Sequence, residues 1–166
     1  MRKNKGVMML IIKHLSEELS EHQRDIQEVA DIEAVIQSQD AWSYQTLNDL
    51  LGQDSIRLMV VINTVKSDVV GYCLYQVVFE QAEILRIGTH PDYQRRGIAS
   101  KLFATLNDEL KAKKVDGLLL EVRADNMPAI ALYEQQGFIL IHRRKGYYQQ
   151  LHNPAVDALI MQLSYI

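Results

Sequence analysis

The sequence predicts an α/β (or α+β) fold in which one mixed sheet carries helices on both faces. Segments with apolar residues at helical spacing alternate with short apolar, β-branched segments that are typical of strands. Their order along the chain is β-α-α-β-β-β-α-β-α-β-β. The chain has 166 residues and is 48% hydrophobic, which is enough for one full core. No repeat or linker interrupts the pattern, so we expect a single domain over residues 1–166.

The first half of the chain is expected to contain four strands and two helices. The strands are predicted at residues 7–13, 56–63, 69–79 and 82–89. Helical spacing begins near Ser16 and runs to Ile36. Ser43 is suited to cap a second, shorter helix, which Gly52 ends. The basic segment 1–6 is expected to be a frayed terminus, because no cleavage site of a signal peptide follows it.

The second half alternates between helix and strand. A long helix is predicted over about residues 97–113 and a buried strand over 117–122. Asn126, with Pro128 close behind it, is typical of a helix start, and Gly137 is typical of the residue after a helix. Two strands, 138–141 and 157–163, complete the domain.

Composition excludes several classes of function. A net charge of −3 is not typical of a nucleic-acid-binding protein. Cys73 is the only cysteine and lies in an apolar segment, so we expect a buried, inert thiol and no disulfide. The five histidines show no metal-binding spacing. We therefore expect no bound metal. No apolar run approaches the roughly 20 residues that span a bilayer, so we expect a cytoplasmic protein with no membrane partner.

The turn between the strand 82–89 and the following helix is the first candidate site. Small residues, Gly97 and Ala99, follow Gln94, Arg95 and Arg96. The first turn of a helix presents N–H groups that have no intrahelical partner, and these attract an anion. The turn therefore predicts a phosphate or pyrophosphate site. A glycine at such a turn is by itself more often required for backbone geometry than for binding.

A second candidate site lies between residues 120 and 133. Glu121 is inside an apolar strand, where a carboxylate is costly to bury without a partner or a task. An ion pair with Arg123, on the same face of the strand, is an alternative to a general base. Tyr133, on the next helix, is either a core aromatic or a functional hydroxyl. Asn126 is first a helix cap and second a ligand contact.

Both stretches match a known family. The segment Gln94-Arg-Arg-Gly-Ile-Ala99 resembles the Q/R-x-x-G-x-G/A signature of the GNAT acyltransferases, whose main-chain amides hold the pyrophosphate of acetyl-CoA. The pattern from Glu121 through Phe138 is similar to the bacterial ribosomal-protein alanine N-acetyltransferases (the RimI type). Trp42-Ser43, Arg143-Arg144 with Tyr147-Tyr148, and Asp157-Ala-Leu-Ile-Met161 match that group as well. The resemblance covers roughly residues 25–163.

The resemblance implies a GNAT fold with a mostly antiparallel sheet, acetyl-CoA as the donor, and no metal. Glu121 matches the general base, and Tyr133 matches the acid that protonates the departing thiolate. Trp42, Tyr147 and Tyr148 match substrate-binding positions. Donor-binding positions fall on Ile87, Gly88, Thr89, Gln94, Arg95, Arg96, Gly97, Ile98, Ala99, Ser100 and Asn126.

The reaction that the resemblance implies is acetylation of the α-amine of a protein N-terminus, that of a ribosomal protein. An α-amino group has a pKa about 2.5 units below that of lysine, so a glutamate can deprotonate it more easily near neutral pH. The chain departs from the family at four positions: Ala41, Arg86, His90 and an inserted Gly146. None of them lies in the pyrophosphate motif. The departures therefore bear on the acceptor more than on the donor.

Three alternatives remain open at this stage. The same chemistry is possible on a small amine, such as a polyamine or an antibiotic. A non-catalytic acyl-CoA-binding module is disfavoured because both Glu121 and Tyr133 are retained. A nucleotide-binding regulator is disfavoured because the turn lacks the Gly-Lys-Ser/Thr of a P-loop.

Overall fold

Seven strands form one sheet in the computed structural model, which describes residues 9–15, 18–37 and 39–166. The strands, numbered along the chain, are β1 (Leu10–His14), β2 (Ile56–Asn63), β3 (Asp68–Val78), β4 (Gln81–Thr89), β5 (Gly117–Arg123), β6 (Ile139–Tyr148) and β7 (Val156–Ser164). Their order in the sheet is β1-β2-β3-β4-β5-β7-β6. β4 and β5 are parallel, whereas β1 with β2, β5 with β7 and β6 with β7 are antiparallel.

Four α-helices connect these strands. They are α1 (Gln23–Ile36), α2 (Tyr44–Leu51), α3 (Ile98–Ala112) and α4 (Met127–Gln135), with short 3₁₀ turns at Leu19–Glu21 and Pro91–Tyr93. The predicted order of elements and the mixed α/β class are both confirmed. Ser43 caps α2 by accepting a hydrogen bond from the Thr46 N–H, and Gly137 follows α4 with a φ of +96°. Both local signals were therefore interpreted correctly.

Two boundaries differ from the sequence prediction. The strand predicted at 138–141 continues through Tyr148, because main-chain pairing with β7 carries the basic segment into the sheet. Polar side chains are tolerated there because β6 is the last strand in the sheet order and its residues are mostly exposed. Helix α1 begins at Gln23. The start predicted near Ser16, and the first residues of the strand predicted at 7–13, lie outside the described residues.

The described chain divides into two compact units. The first contains the described residues up to Tyr75 together with Arg86–Leu102. Apolar side chains of α1, α2, β2 and β3 form its core, and Ile26, Val29, Leu47, Leu58 and Leu74 are almost fully buried. Burial of each such side chain contributes about 1.5–3 kcal/mol. The predicted burial of Cys73 is confirmed, and burial raises the pKa of its thiol.

The second unit contains Gln76–Leu85 and Phe103–Ile166. Its core is built on alternate residues of β5 and β7, among them Leu118, Leu120 and Met161. Phe103, Tyr133 and Phe138 meet at ring-centroid distances of 5.7–6.0 Å. No helix among the described residues is long and apolar enough to cross a membrane.

Candidate active site

The predicted pyrophosphate turn leads from β4 into α3 in the first unit. Its backbone has positive φ at Arg95 (+61°) and at Gly97 (+77°). A Cβ atom at Gly97 would meet no protein atom within 4 Å, so the glycine is required for its φ and leaves that side of the turn open. The first hydrogen bond of α3 runs from the Lys101 N–H to the Gly97 carbonyl, at 3.0 Å. The N–H groups of Ile98 and Ala99 come before it, in the first turn of the helix, where an anion site is expected.

Two residues outside the signature support this turn. Tyr93 accepts a hydrogen bond from the buried amide of Asn63 at 2.8 Å, and the Arg96 guanidinium lies over its ring at 5.2 Å. The Gln94 amide donates to the Thr89 carbonyl at 3.5 Å. The departure at His90 fits here, because its Nδ1 accepts the Asp92 N–H at 3.1 Å. An asparagine at the end of an apolar strand is a possible signal of such a support, but its partner Tyr93 is 30 residues further along the chain and is not apparent from the sequence.

The strand end that precedes the turn is half-buried at Ile87, Gly88 and Thr89. A Cβ atom at Gly88 would come within 2.6 Å of the Tyr72 hydroxyl and 2.5 Å of the Ile36 Cδ1. Glycine therefore lets Tyr72 and Ile36 approach the main chain of β4. Neither contact was apparent from the sequence, because β3 and α1 are distant in the chain.

Glu121, the candidate base, lies in β5 of the second unit with its side chain 26% exposed. The Tyr148 hydroxyl donates a hydrogen bond to its Oε1 at 2.8 Å, and Arg144 Nη1 is 3.9 Å from its Oε2. Arg123 forms a two-pronged ion pair with Asp125, with both distances 3.0 Å. This pair lowers the pKa of Asp125, chiefly through the hydrogen bonds from Arg123. The carboxylate of Glu121 is thus oriented by a phenol and an arginine and remains accessible to solvent.

A second carboxylate belongs to the surroundings of Glu121. Glu83 in β4 is paired in register with Leu119 of β5, so its side chain points to the face that carries Glu121. Burial raises the pKa of Glu83, the negative charge of Glu121 raises it further, and Arg144 acts in the opposite direction. Sequence reasoning missed Glu83, because the parallel register of β4 and β5 is not encoded locally.

A bulge in β6 brings Tyr148 to its place. The register with β7 shifts between Arg144 and Tyr148, where Gly146 has a φ of +62°. Asp157 accepts the Gly146 N–H at 2.8 Å and pairs with Arg143 at 3.0 Å. These contacts, the first above all, lower the pKa of the Asp157 carboxyl. Gly146, which looks inserted in the sequence, therefore lies in a bulge between the basic segment 143–145 and the tyrosines 147 and 148.

The remaining candidates occupy different surroundings. Tyr133 is almost fully buried against Phe103 and Phe138. Asn126 caps α4 by accepting the Ala129 N–H at 3.3 Å, and Tyr147 packs edge-on against Tyr148 at 5.2 Å. In the first unit, Trp42 lies beneath the Arg86 guanidinium at 4.2 Å.

These arrangements suit acyl transfer to an amine. A solvent-accessible carboxylate can take a proton, a phenol can give one, and the first turn of a helix can hold a phosphate. Over the described ranges, no group of three or more His, Cys, Asp or Glu side chains could hold a metal ion.

Comparisons with known proteins agree with this chemistry. A family model described as "Acetyltransferase (GNAT) family" matches residues 8–138. A protein of Salmonella typhimurium named [ribosomal protein bS18]-alanine N-acetyltransferase is 38% identical over 122 residues, 74% of this chain and 80% of that protein. A Bacillus subtilis protein named as a putative enzyme of the same type is 36% identical over 91 residues, 55% of this chain and 58% of that protein.

A solved structure shows the same fold. The crystal structure of the ribosomal-protein-S18-alanine N-acetyltransferase from Escherichia coli superposes with a TM-score of 0.79 and 29% identity, over 94% of each chain. That of Ard1 from Thermoplasma volcanium has a TM-score of 0.77 over 95% of this chain and 98% of that one, and at 24% identity it shows the fold alone. From its matched residues and its fold, the chain belongs to the GNAT acetyltransferase family.

Proposed function

We propose that this chain, acting as one N-acetyltransferase domain in the cytoplasm, acetylates the α-amine of a protein N-terminus. The acceptor we propose is the N-terminal alanine of ribosomal protein bS18, the substrate in the names of relatives 37–38% identical to this chain. The observation that carries the proposal is the Glu121 carboxylate. It is accessible and accepts a hydrogen bond from Tyr148 at 2.8 Å, and the resemblance assigns the role of base to it.

The donor is acetyl-CoA, which supplies an activated acetyl thioester. The turn fits a pyrophosphate, because Gly97 leaves its side open and the N–H groups of Ile98 and Ala99 come before the first hydrogen bond of α3. The resemblance adds Ser100 to this segment. The resemblance assigns contact with the pantetheine arm to the main chain of Ile87, Gly88 and Thr89 and to Asn126. Gln94, Arg95 and Arg96 complete the phosphate-binding segment.

Two side chains move protons in this proposal. Glu121 takes a proton from the acceptor ammonium, directly or through a water, and so exposes the nitrogen lone pair. When the C–S bond breaks, the Tyr133 hydroxyl gives its proton to the departing CoA thiolate, which leaves as the thiol. The resemblance assigns contact with the acceptor to Trp42, Tyr147 and Tyr148.

Mass spectrometry of an acceptor panel tests the substrate class. Peptides that begin with Ala, including the bS18 N-terminal sequence, are incubated with acetyl-CoA beside matched peptides with a blocked α-amine, and beside polyamines. We expect one added acetyl group on the free Ala peptides and none on the blocked ones. Acetylation of polyamines alone would overturn the proposal in favour of a small-molecule acetyltransferase.

Replacement of Tyr133 by Phe tests the acid. We expect turnover to fall by about 10²-fold or more, within the range of general acid–base catalysis, with acetyl-CoA affinity nearly unchanged. The two are measured by thiol release and by calorimetric titration. The Tyr44→Phe variant, altered on α2, is the control, and wild-type turnover in Tyr133→Phe would remove the assigned role.

A further inference from the structure

Arg86 makes three contacts with the segment that joins α1 to α2. Its Nη2 donates to the Asp40 carbonyl at 2.8 Å and lies 3.4 Å from the Asp40 carboxylate. Its guanidinium carbon is 4.2 Å from the centre of the Trp42 ring. One side chain from β4 thus holds both a main-chain carbonyl and the indole of this segment.

The Glu33 carboxylate orients Arg86 from inside the first unit. Glu33 is fully buried on α1, and its Oε2 lies 3.6 Å from the Arg86 Nε. The same oxygen accepts a hydrogen bond from the main-chain N–H of Trp42 at 3.1 Å, and the Tyr72 hydroxyl donates one to Oε1. A buried carboxylate is stable only when it is paired and hydrogen-bonded, so Glu33 strongly favours this position of Arg86.

The arrangement depends on arginine in particular. A planar guanidinium can stack on an indole while its separate N–H groups reach a carboxylate and a carbonyl, whereas the ammonium of lysine is a single point donor. A shorter, uncharged side chain could supply neither the stacking nor the ion pair.

We propose that Arg86 is a positioning residue, which holds the segment 39–43, and Trp42 with it, in the conformation that receives the acceptor. This rests on the proposed function, in which Trp42 contacts the acceptor. Arg86 itself touches neither the donor nor the reacting atoms in this proposal. It acts through Trp42, and so it makes acceptor binding depend on a side chain that does not itself contact the acceptor.

Replacement of Arg86 by Lys tests the proposal, because it keeps the charge that buried Glu33 requires. The matched control is Arg24→Lys, which alters an arginine that also pairs with a glutamate, at 3.3 Å, but is 70% exposed. Trp42 is the only tryptophan, so acrylamide quenching of its fluorescence reports on this segment directly. Acceptor KM, acetyl-CoA KM and kcat are measured alongside.

We expect Arg86→Lys to raise the acceptor KM about tenfold, the equivalent of one lost charge-assisted hydrogen bond, and to increase quenching of Trp42. The acetyl-CoA KM and the values for Arg24→Lys should stay at wild-type levels. Unchanged quenching would overturn the proposal, since the segment would then be held by other contacts. Increased quenching with an unchanged acceptor KM would overturn it as well, since the segment would not receive the acceptor.

A failure of the proposed function has a different signature. If the wild-type protein acetylates only small amines, the acceptor KM is measured with that amine. The positioning role then stands or falls on the same comparison of Arg86→Lys with Arg24→Lys. The outcome for Arg86 is therefore decided separately from the identity of the acceptor.

Discussion

Two glutamates in this protein each have a tyrosine and an arginine as partners, but one side chain is buried and the other is partly exposed to solvent. Glu33 in the first unit accepts a hydrogen bond from Tyr72 and pairs with Arg86, and its side chain is 0% exposed. Glu121 in the second unit accepts a hydrogen bond from Tyr148 and lies near Arg144, and its side chain is 26% exposed. The chemistry of the partners therefore cannot distinguish their roles.

The difference in burial does distinguish them. Glu33 has no contact with solvent, and burial together with the charge of Glu33 raises the pKa of Tyr72 well above its usual range. Tyr72 therefore stays a hydrogen-bond donor, and the pair is fixed. Glu121 is open to water, and its ion pair with Arg144 at 3.9 Å is long enough for an incoming ammonium to compete. A carboxylate that exchanges protons with a substrate must be of the second kind.

Glu121→Gln should give the largest effect. The amide keeps an oxygen that accepts from Tyr148 but cannot take up a proton, so we expect turnover to fall about 10²–10⁴-fold. The unfolding free energy should stay within about 0.5 kcal/mol, as is usual for a half-exposed side chain. Thiol release and urea unfolding measure the two quantities. Wild-type turnover would place the base elsewhere.

Glu33→Gln should give the converse result, loss of stability with the proton-transfer step retained. Removing the buried charge leaves Arg86 with only the exposed Asp40 carboxylate as a counterion, and we expect a loss of about 3 kcal/mol in unfolding free energy. Urea unfolding measures the loss, with Glu134→Gln on the exposed face of α4 as the control. If stability is unchanged, the contrast in burial does not determine the roles.

The tyrosine partners offer a matched pair of smaller changes. Tyr72→Phe leaves a buried carboxylate oxygen without its donor, at a cost of about 1–3 kcal/mol in unfolding free energy. In Tyr148→Phe, water can replace the lost donor to the Glu121 oxygen, because this carboxylate is accessible to solvent. We therefore expect unchanged stability and a decrease in kcat/KM of about three- to tenfold. Thermal unfolding and steady-state kinetics on both variants test this pair. Equal losses of unfolding free energy in the two variants would contradict the proposed difference between the buried and the exposed glutamate.

A third glutamate, Glu83, adds a test of pH dependence to this comparison, and its replacement should give the smallest change. Its folded-state pKa is raised, so the folded protein binds this proton more tightly, and the stabilisation present at low pH is lost as pH rises through that pKa. Glu83→Gln should therefore raise Tm more at about pH 7 than at about pH 4, near the usual pKa of Glu. Scanning calorimetry at both pH values measures the difference, and the reverse order would contradict it.

Much of the fold could be predicted from the sequence because its signals are local. The caps at Ser43 and Asn126, the glycines at 97 and 137 and the apolar periodicity define the elements in their correct order. The length of β6 was underestimated, because pairing with β7 prevails over the polar composition of Arg143, Arg144 and Lys145. Strand pairing is a long-range interaction and leaves little trace in a short window of sequence.

By itself the sequence determined the order of elements, the turn at Gly97 and the candidates Glu121 and Tyr133, since each follows from neighbouring residues or from a motif. Only the tertiary structure decided which side chains contact the two glutamates, Glu33 and Glu121. Glu33 and Glu121 both lie among apolar residues in the sequence, and only the folded chain buries one against Tyr72 and Arg86 and leaves the other open beside Tyr148. The physical reason is that desolvation and ion pairing depend on atoms brought together across strands and helices, which spacing along the chain does not specify.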